Sequence, residues 1–485
     1  MKLYRAEQVR EIDALCLKRL DIVGHELMQR AGLALFKRVQ SRFADARSLS
    51  IVCGGGNNAG DGYVLGALAR AAGYDVQLIA LKPLDQLQGD AQRAAQAFEE
   101  QGGTLLEKSV VPLSGALVVD AMLGTGLDRA VDGLYLDWID HINGANRPVI
   151  AVDVPSGLNA DTGMPMGGAV RADLTVSVIG QKRGLITGLA GDYVGVLEWD
   201  GLGAPDSVYS EVSPDAYRLH ECSLSQSLPP RQASTHKGDL GHVVVAGGDD
   251  QCPGAVHLAA RAALMTGSGL VSVATRHAHA LALAGSLPEA MWANAEAFDS
   301  LDARVDRADV IALGPGLGQS DWSVRLWHRL TQRDQPIVLD ADGLNWLQQS
   351  PRACTGWVLT PHPGEAARLL QCSTAKVQQD RYAAVRALAQ RFDAVIVLKG
   401  AGTLIADPAG QVCVCPYGNP AMATAGMGDA LTGIIASLIG QGQTPLDAAI
   451  NGVLLHALAG DHAAVDRRQI LATELIDALP AVLPR

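Results

Sequence analysis

The sequence predicts two successive α/β domains, the first a Rossmann-like doubly wound sheet and the second another predominantly parallel α/β layer structure. Three observations carry this. Short, continuous apolar runs alternate with helical stretches, the mark of parallel strands buried on both faces. The alternation fades in a Ser- and Pro-rich stretch and then starts again. At 485 residues the chain is also long for one compact core.

MKLYRAEQVREIDALCLKRL spreads its charges along an amphipathic helix and lacks the apolar centre of a signal peptide. Strands follow at SLSIVC (48–53), DVQLIAL (75–81), ALVVDA (116–121), PVIAVDV (148–154) and DLTVSVI (173–179). Helices are expected from Tyr63 to Ala72 and from Asp90 to Gln101. Periodicity is weak between Gly201 and Thr235, where SEVSPDAY and SLSQSLPPRQAS occur. The expected division is a domain over 1–213, a linker over 214–232 and a domain over 233–485.

The second half opens with GHVVVAGG (241–248) and a helix from Gly254 to Gly267. Strands follow at GLVSVAT, DVIALG, PIVLDA, WVLTP and AVIVLKG. GTLIAD and GQVCVCP form a hairpin that turns at Pro408 to Gly410. The last 55 residues read as helix almost throughout. No internal repeat is visible. Apolar residues make up 48% and aromatics only 4%, so the cores must be built from Ala, Val, Leu and Ile.

A formal net charge of -12 without a Lys/Arg-rich run argues against a nucleic-acid partner, although backbone amides can still hold a nucleotide. Eight scattered cysteines without a CxxC pair suit a reducing cytoplasm, and no metal site is expected at Cys413 and Cys415. No stretch of eighteen apolar residues offers a membrane span. A low charged fraction and many small helical residues permit self-association, and a homo-oligomer is expected.

The strongest local signal is GNPAMATAGMGDALTGIIASLIGQG (418–442). Gly426 and Gly428 allow a tight turn whose amides converge on an anion at a helix start, and Asp429 stands beside it. A carboxylate there can take a hydroxyl proton while the amides stabilise a transferring phosphoryl group. The alternative is that Asp429 is only a helix N-cap. Further loops follow strands: Lys399 to Thr403 in LKGAGT, Gly314, Gly316 and Gly318 in GPGLG, and His362 and Glu365 in TPHPGEAARLL.

Glycine loops at strand ends with a terminal GxGD resemble the ribokinase-like fold. The ordered blocks HKGDLGHVVVAGG, GPGLG, TPHPGEAARLL, KGAGT and GNPAMATAGMGDALTG are similar to the NAD(P)H-hydrate dehydratase family over about residues 233–485. That resemblance implies a substrate, the S form of hydrated NADH or NADPH, that bears a hydroxyl at C6 of the nicotinamide ring. It implies Asp429 as base and substrate contacts from Ala255, Gly316, His362 and Asp429. Lys399, Gly400, Ala401, Gly402, Thr403 and Gly428 would hold the phosphoryl donor, ADP, with Mg2+.

In the first half, IVCGGGNNAGDGYVLGALARAAGY reads as strand, glycine-rich loop and helix, with polar Asn57, Asn58 and Asp61 in the loop. VVDAMLGTGLDRAVDG places Asp120 at a strand end, and AVDVPSGLNADTG places Asp153 and Ser156 at the next. Oxygens of Asn58, Asp120 and Ser156 suit one hard cation. Asp120 and Asp153 also have a plain reading as loop-fixing carboxylates.

These blocks resemble the NAD(P)H-hydrate epimerase family over about residues 1–213, with Ala59 where a third glycine is common. The resemblance implies substrate contacts from Asn57, Asn58, Ala59, Gly60 and Asp61. It implies further contacts from Gly124, Thr125, Gly126, Leu127, Asp128, Arg129 and Ala130, with Asp153 at the reacting carbon as acid–base. It implies potassium on Asn58, Asp120 and Ser156. Together the two resemblances predict a bifunctional repair enzyme. The rivals are a vitamin-precursor kinase joined to a nucleotide-binding domain, and a non-catalytic nucleotide sensor.

Overall fold

The structure, a computed structural model, describes every residue except 108, 109, 251 and 485, and leaves aside the side chains of 107 and 298–300. The chain forms two compact units, one from Lys2 to Ala216 and the other from Tyr217 to Arg485 with Met1.

The first unit holds a seven-stranded, wholly parallel sheet. Its spatial order is Leu105–Glu107, Asp75–Ala80, Ser48–Cys53, Leu117–Ala121, Val149–Val152, Leu174–Val178 and Val196–Asp200. Counted along the chain this is 3-2-1-4-5-6-7, the doubly wound order, with its switch point between Ser48–Cys53 and Leu117–Ala121. Helices Gly24–Arg42, Asn57–Ala71 and Gly89–Glu100 cover one face, and Gly133–Gly144 covers the other. Continuous apolar strands need this double cover, and all five residues of Leu117–Ala121 are buried.

Two features differ from the sequence reading. Leu105–Glu107 and Val196–Asp200 are additional strands at the two sheet edges. The helix expected from Tyr63 begins at Asn57, so Asn57 to Asp61 form its first turns, and only Gly54 to Gly56 are loop. Packing holds this polar, glycine-rich start in helix: Ala59 and Gly60 are buried, and a β-carbon at Gly60 would strike Met28.

The second unit's sheet runs from Tyr217 and Arg218 through Val412–Cys415, Thr403–Ala406, Val395–Leu398, Val358–Leu359 and Ile337–Leu339. It continues through Val310–Leu313, His242–Ala246, Leu270–Thr275 and Met291–Asn294. From Val395 to Asn294 neighbouring strands are parallel, and the predicted hairpin is the antiparallel pair Thr403–Ala406 with Val412–Cys415. The stretch 214–232 carries strand Ala216–Arg218 and a short helix, Ser223–Ser227. Helices Met427–Gly440, Pro445–Ala463 and Ala472–Val482 end the chain. Helix Met427–Gly440 packs so closely on Pro253–Thr266 that a β-carbon at Gly433 would overlap the carbonyl of Ala259. That approach fixes the frame on which Asp429 is carried. Among the described residues no helix is long and apolar enough to cross a membrane.

Candidate active sites

In the first unit the site builds up at the switch point. A β-carbon at Gly54 would overlap the Met122 carbonyl, so the two loops that leave the central strands touch through bare backbone. Asp120, fully buried at the end of Leu117–Ala121, accepts from the Ser156 hydroxyl at 2.5 Å and from the Ser156 and Met122 amides at 2.7 and 3.2 Å. Burial pushes its carboxyl up to about 6 against the pull of the Ser156 bonds. Asn58 donates to the Leu123 carbonyl at 3.2 Å, and the Leu123 amide donates to the Ser156 hydroxyl at 2.8 Å.

Asn58, Asp120 and Ser156 are thereby gathered around one short loop. Gly124 lies against Asn58, where a β-carbon would sit 3.3 Å from its amide oxygen. Thr125 and Leu127 are half-buried, and Gly126, Asp128, Arg129 and Ala130 are exposed beside them. Asn57 is exposed at the helix start, so its side chain and those of the loop face solvent on the same sheet edge.

Asp153 sits in the left-handed region with φ of 64°, an unfavourable conformation for a non-glycine residue that its contacts hold in place. Its amide donates to the Val176 carbonyl at 2.9 Å, and its carboxylate accepts from the Val178 amide at 3.0 Å and from the Lys182 ammonium. Lys182 is wholly buried and donates also to the Val178 carbonyl at 2.8 Å. Asp61 turns inward to this group. Burial first, then the charges of Asp153 and Asp13, push its carboxyl well above the usual range. Burial likewise lifts Asp13 to about 6 against Lys182. Sequence reasoning missed Lys182 and Asp13. The signal for Lys182 was a lysine in a loop after a buried strand; Asp13 gave none, being one acid among several on an amphipathic helix.

In the second unit, seven neighbouring parallel strands bring their carboxyl ends to one edge. Gly316 meets Ala255 there, a β-carbon on the glycine lying 3.2 Å from that of the alanine. The Asp249 amide donates to the Gly316 carbonyl at 2.7 Å and joins the two loops. Asp340 follows Ile337–Leu339, 2% exposed, and accepts from the Lys399 ammonium at 2.6 Å and the Thr432 hydroxyl at 3.0 Å. Burial pushes the Asp340 carboxyl up, but Lys399 and the hydrogen bonds outweigh it and hold the group below the usual range.

Asp429 lies in the first turn of Met427–Gly440, while the N-cap is Gly426 with φ of 89°. Asp429 is therefore not the N-cap residue. Burial, with Asp340 adding to it and Lys399 opposing, lifts its carboxyl to about 7. Glu365 stands 3.9 Å from Lys399 and is lifted by burial to about 7. A β-carbon at Gly428 would lie 3.2 Å from the Lys399 ammonium and 3.3 Å from the Asp340 carboxylate. His362 caps the helix Pro363–Leu370: its Nδ1 accepts from the Gly364 and Glu365 amides at 3.0 and 3.4 Å, while the half-exposed ring stays at the edge.

Beside this cluster lies a cavity of about 420 Å³, lined by Lys399, Gly400, Ala401 and Thr403 on one side and by Met422 and Leu431 among apolar residues on the other. Gly400 and Gly402 have φ of 128° and 59°. The buried Arg381 donates to the Leu398 and Lys399 carbonyls at 3.1 and 3.2 Å and so pins that loop from behind. Sequence reasoning missed Asp340, Arg381 and Thr432.

Residues 243–481 match the family model described as NAD(P)H-hydrate dehydratase, and residues 24–184 match that described as YjeF-related protein N-terminus. The chain is 44% identical to the bifunctional NAD(P)H-hydrate repair enzyme Nnr of Coxiella burnetii over 98% of each chain. The chain belongs to the family of bifunctional NAD(P)H-hydrate repair enzymes. The Escherichia coli member is 41% identical, over 99% of this chain and 93% of its own. A ribokinase-like superfamily protein from Enterococcus faecalis superposes with a TM-score of 0.53 and 30% identity, over 56% of this chain and 95% of its own. The ADP/ATP-dependent NAD(P)H-hydrate dehydratase of Bacillus subtilis, co-crystallised with ATP and Mg2+, has a TM-score of 0.50 and 32% identity, over 55% and 97%. Within the repair family, then, Asp429 and Lys399 lie in the part matched by the dehydratase model and Asp120 and Asp153 in the other.

Proposed function

We propose that this chain repairs hydrated NADH and NADPH, with the first unit interconverting the R and S forms at C6 and the second dehydrating the S form. The observation that carries the second half is the placement of Asp429 at the start of a helix, beside the bare backbone of Gly426 and Gly428, next to the Lys399–Asp340 pair. In this reading Asp429 takes the proton of the C6 hydroxyl as its oxygen attacks the terminal phosphorus of ADP, and AMP leaves. The amides at Gly428 and the Lys399 charge stabilise the transferring group. The C6 oxygen then departs as phosphate, a C5 proton is lost, and the C5–C6 double bond returns.

Lys399, Gly400, Ala401, Gly402, Thr403 and Gly428 hold the donor, whose base fits the apolar side of the adjoining cavity. Ala255, Gly316 and His362 line the substrate side. For Mg2+, the Asp340 carboxylate is already bonded to Lys399 and Thr432, and the described residues contain no cluster of three metal-ligating side chains. Mg2+ would therefore be held by the donor's phosphates, where it neutralises charge.

In the first unit, Asn57 and Asn58 at the open start of the helix and Gly124 to Ala130 bind the nucleotide, with Ala59, Gly60 and Asp61 packed behind them, and Asp153 performs the acid–base work, fixed by Lys182. Asn58, Asp120 and Ser156 suit potassium: the Ser156 hydroxyl lies against the buried Asp120 carboxylate and the Leu123 carbonyl, Asn58 joins that carbonyl, and a cation would offset the cost of burying the carboxylate. A mixture of R and S hydrates supplied with ADP tests the whole reading. Complete return of NADH is expected. A stable phosphorylated product without NADH would assign the second unit to kinase chemistry instead.

A further inference from the structure

One buried carboxylate ties together three elements of the dehydrating site. Asp340 leaves strand Ile337–Leu339, binds the Lys399 ammonium at the end of Val395–Leu398 through one oxygen, and binds Thr432 through the other. Thr432 lies one turn after Asp429 on the same helix. A β-carbon at Gly428 would come within 3.3 Å of that second oxygen, so Asp340 lies directly beneath the glycine turn.

We infer that Asp340 is a positioning residue for the dehydration: it holds Lys399 away from Asp429, and its own charge keeps Asp429 ready to accept a proton. The inference rests on the reading of Asp429 as base. Three carboxylates, Asp340, Glu365 and Asp429, share one ammonium here. Whichever of them pairs with Lys399 holds a proton less well than the other two, because an adjacent cation favours its ionised form. The 2.6 Å contact assigns that pairing to Asp340. The other groups facing the cluster cannot replace it. His362 is engaged in capping its helix, and His456 from Pro445–Ala463 donates to the Met427 carbonyl at 3.0 Å while burial keeps it neutral.

The test is the pH dependence of kcat for the full chain at saturating ADP and S hydrate. The wild type is expected to lose activity as pH falls through about 7, where Asp429 protonates. Asp340→Asn removes a neighbouring negative charge and releases Lys399 toward Asp429. Both effects move the acidic limb to lower pH, by about one unit or more, with kcat down roughly 10- to 100-fold. Asp340→Ser, smaller and open to water, should shift the limb in the same direction, and Asp340→Glu should bring it back. A residue that serves only the fold would lower kcat and leave the limb unmoved. That outcome overturns the inference, as would loss of the folded chain in both the Asn and Ser variants. A wild type that forms no NADH with ADP overturns the proposed function itself.

Discussion

The two units solve similar charge problems in opposite ways. Each gathers three carboxyls around one lysine: Asp13, Asp61 and Asp153 around the buried Lys182, and Asp340, Glu365 and Asp429 around the half-buried Lys399. In the first unit the lysine bonds the carboxylate proposed to do the chemistry. In the second it bonds a neighbour and leaves the proposed base, Asp429, displaced to about 7. A direct ion pair fixes a carboxylate in place, whereas a lysine one residue removed lets the carboxylate exchange a proton near neutrality. The surroundings differ as well, since the first unit also holds Asp120, bonded by the Ser156 hydroxyl and by the Ser156 and Met122 amides.

The sharpest way to separate the two sites is to disable one at a time. Asp429→Ala should lower NADH formation by ~10³-fold or more while R and S hydrates still interconvert. Loss of both activities would break the comparison. Asp153→Asn should slow interconversion by ~10²-fold and spare dehydration, so that NADH from a mixed substrate stops at the S fraction. Full recovery at the wild-type rate would remove Asp153 from the mechanism.

Gly428→Ala places a methyl group against the Lys399–Asp340 pair and should cost about tenfold in kcat, read from steady-state rates at saturating ADP. Gly433→Ala acts on the frame instead, forcing the two helices apart. A loss of about 1–3 kcal/mol in chemical denaturation of the second unit is expected, with little change in the first. The smallest effect should come from exchanging potassium for a bulky organic cation, which is expected to slow interconversion and leave dehydration of pure S hydrate unchanged.

Much of this was legible in the sequence. The five central strands of the first unit are short, mostly apolar runs separated by helical stretches, the pattern of parallel strands buried on both faces. Its edge strands were hidden, because Leu105–Glu107 is only three residues long and Val196–Asp200 is half-exposed and does not alternate cleanly. The start of the helix at Asn57 was hidden for a different reason. Asn and Gly are poor helix formers, and tertiary contacts at Ala59 and Gly60 overrule the local preference.

Glycine loops announced where both sites would lie, but not which charges would meet there. Asp340 reads as one more strand-end acid until the fold sets it against Lys399, 59 residues away in sequence. Lys182 is likewise 29 residues from Asp153, and Asp13 sits on a helix from the other end of the unit's sequence. His362 could be noticed in its proline-bounded loop, whereas its capping of the following helix is a matter of geometry alone.

The most direct measurement of the central claim is the extent of NADH recovery from an equimolar mixture of R and S hydrates with ADP. Wild-type and Asp429→Ala chains would be compared side by side. The account predicts complete recovery by the wild type with one AMP and one phosphate formed per NADH, and continued R/S exchange without NADH in the variant. NADH formation by the variant at a rate near wild type would contradict it.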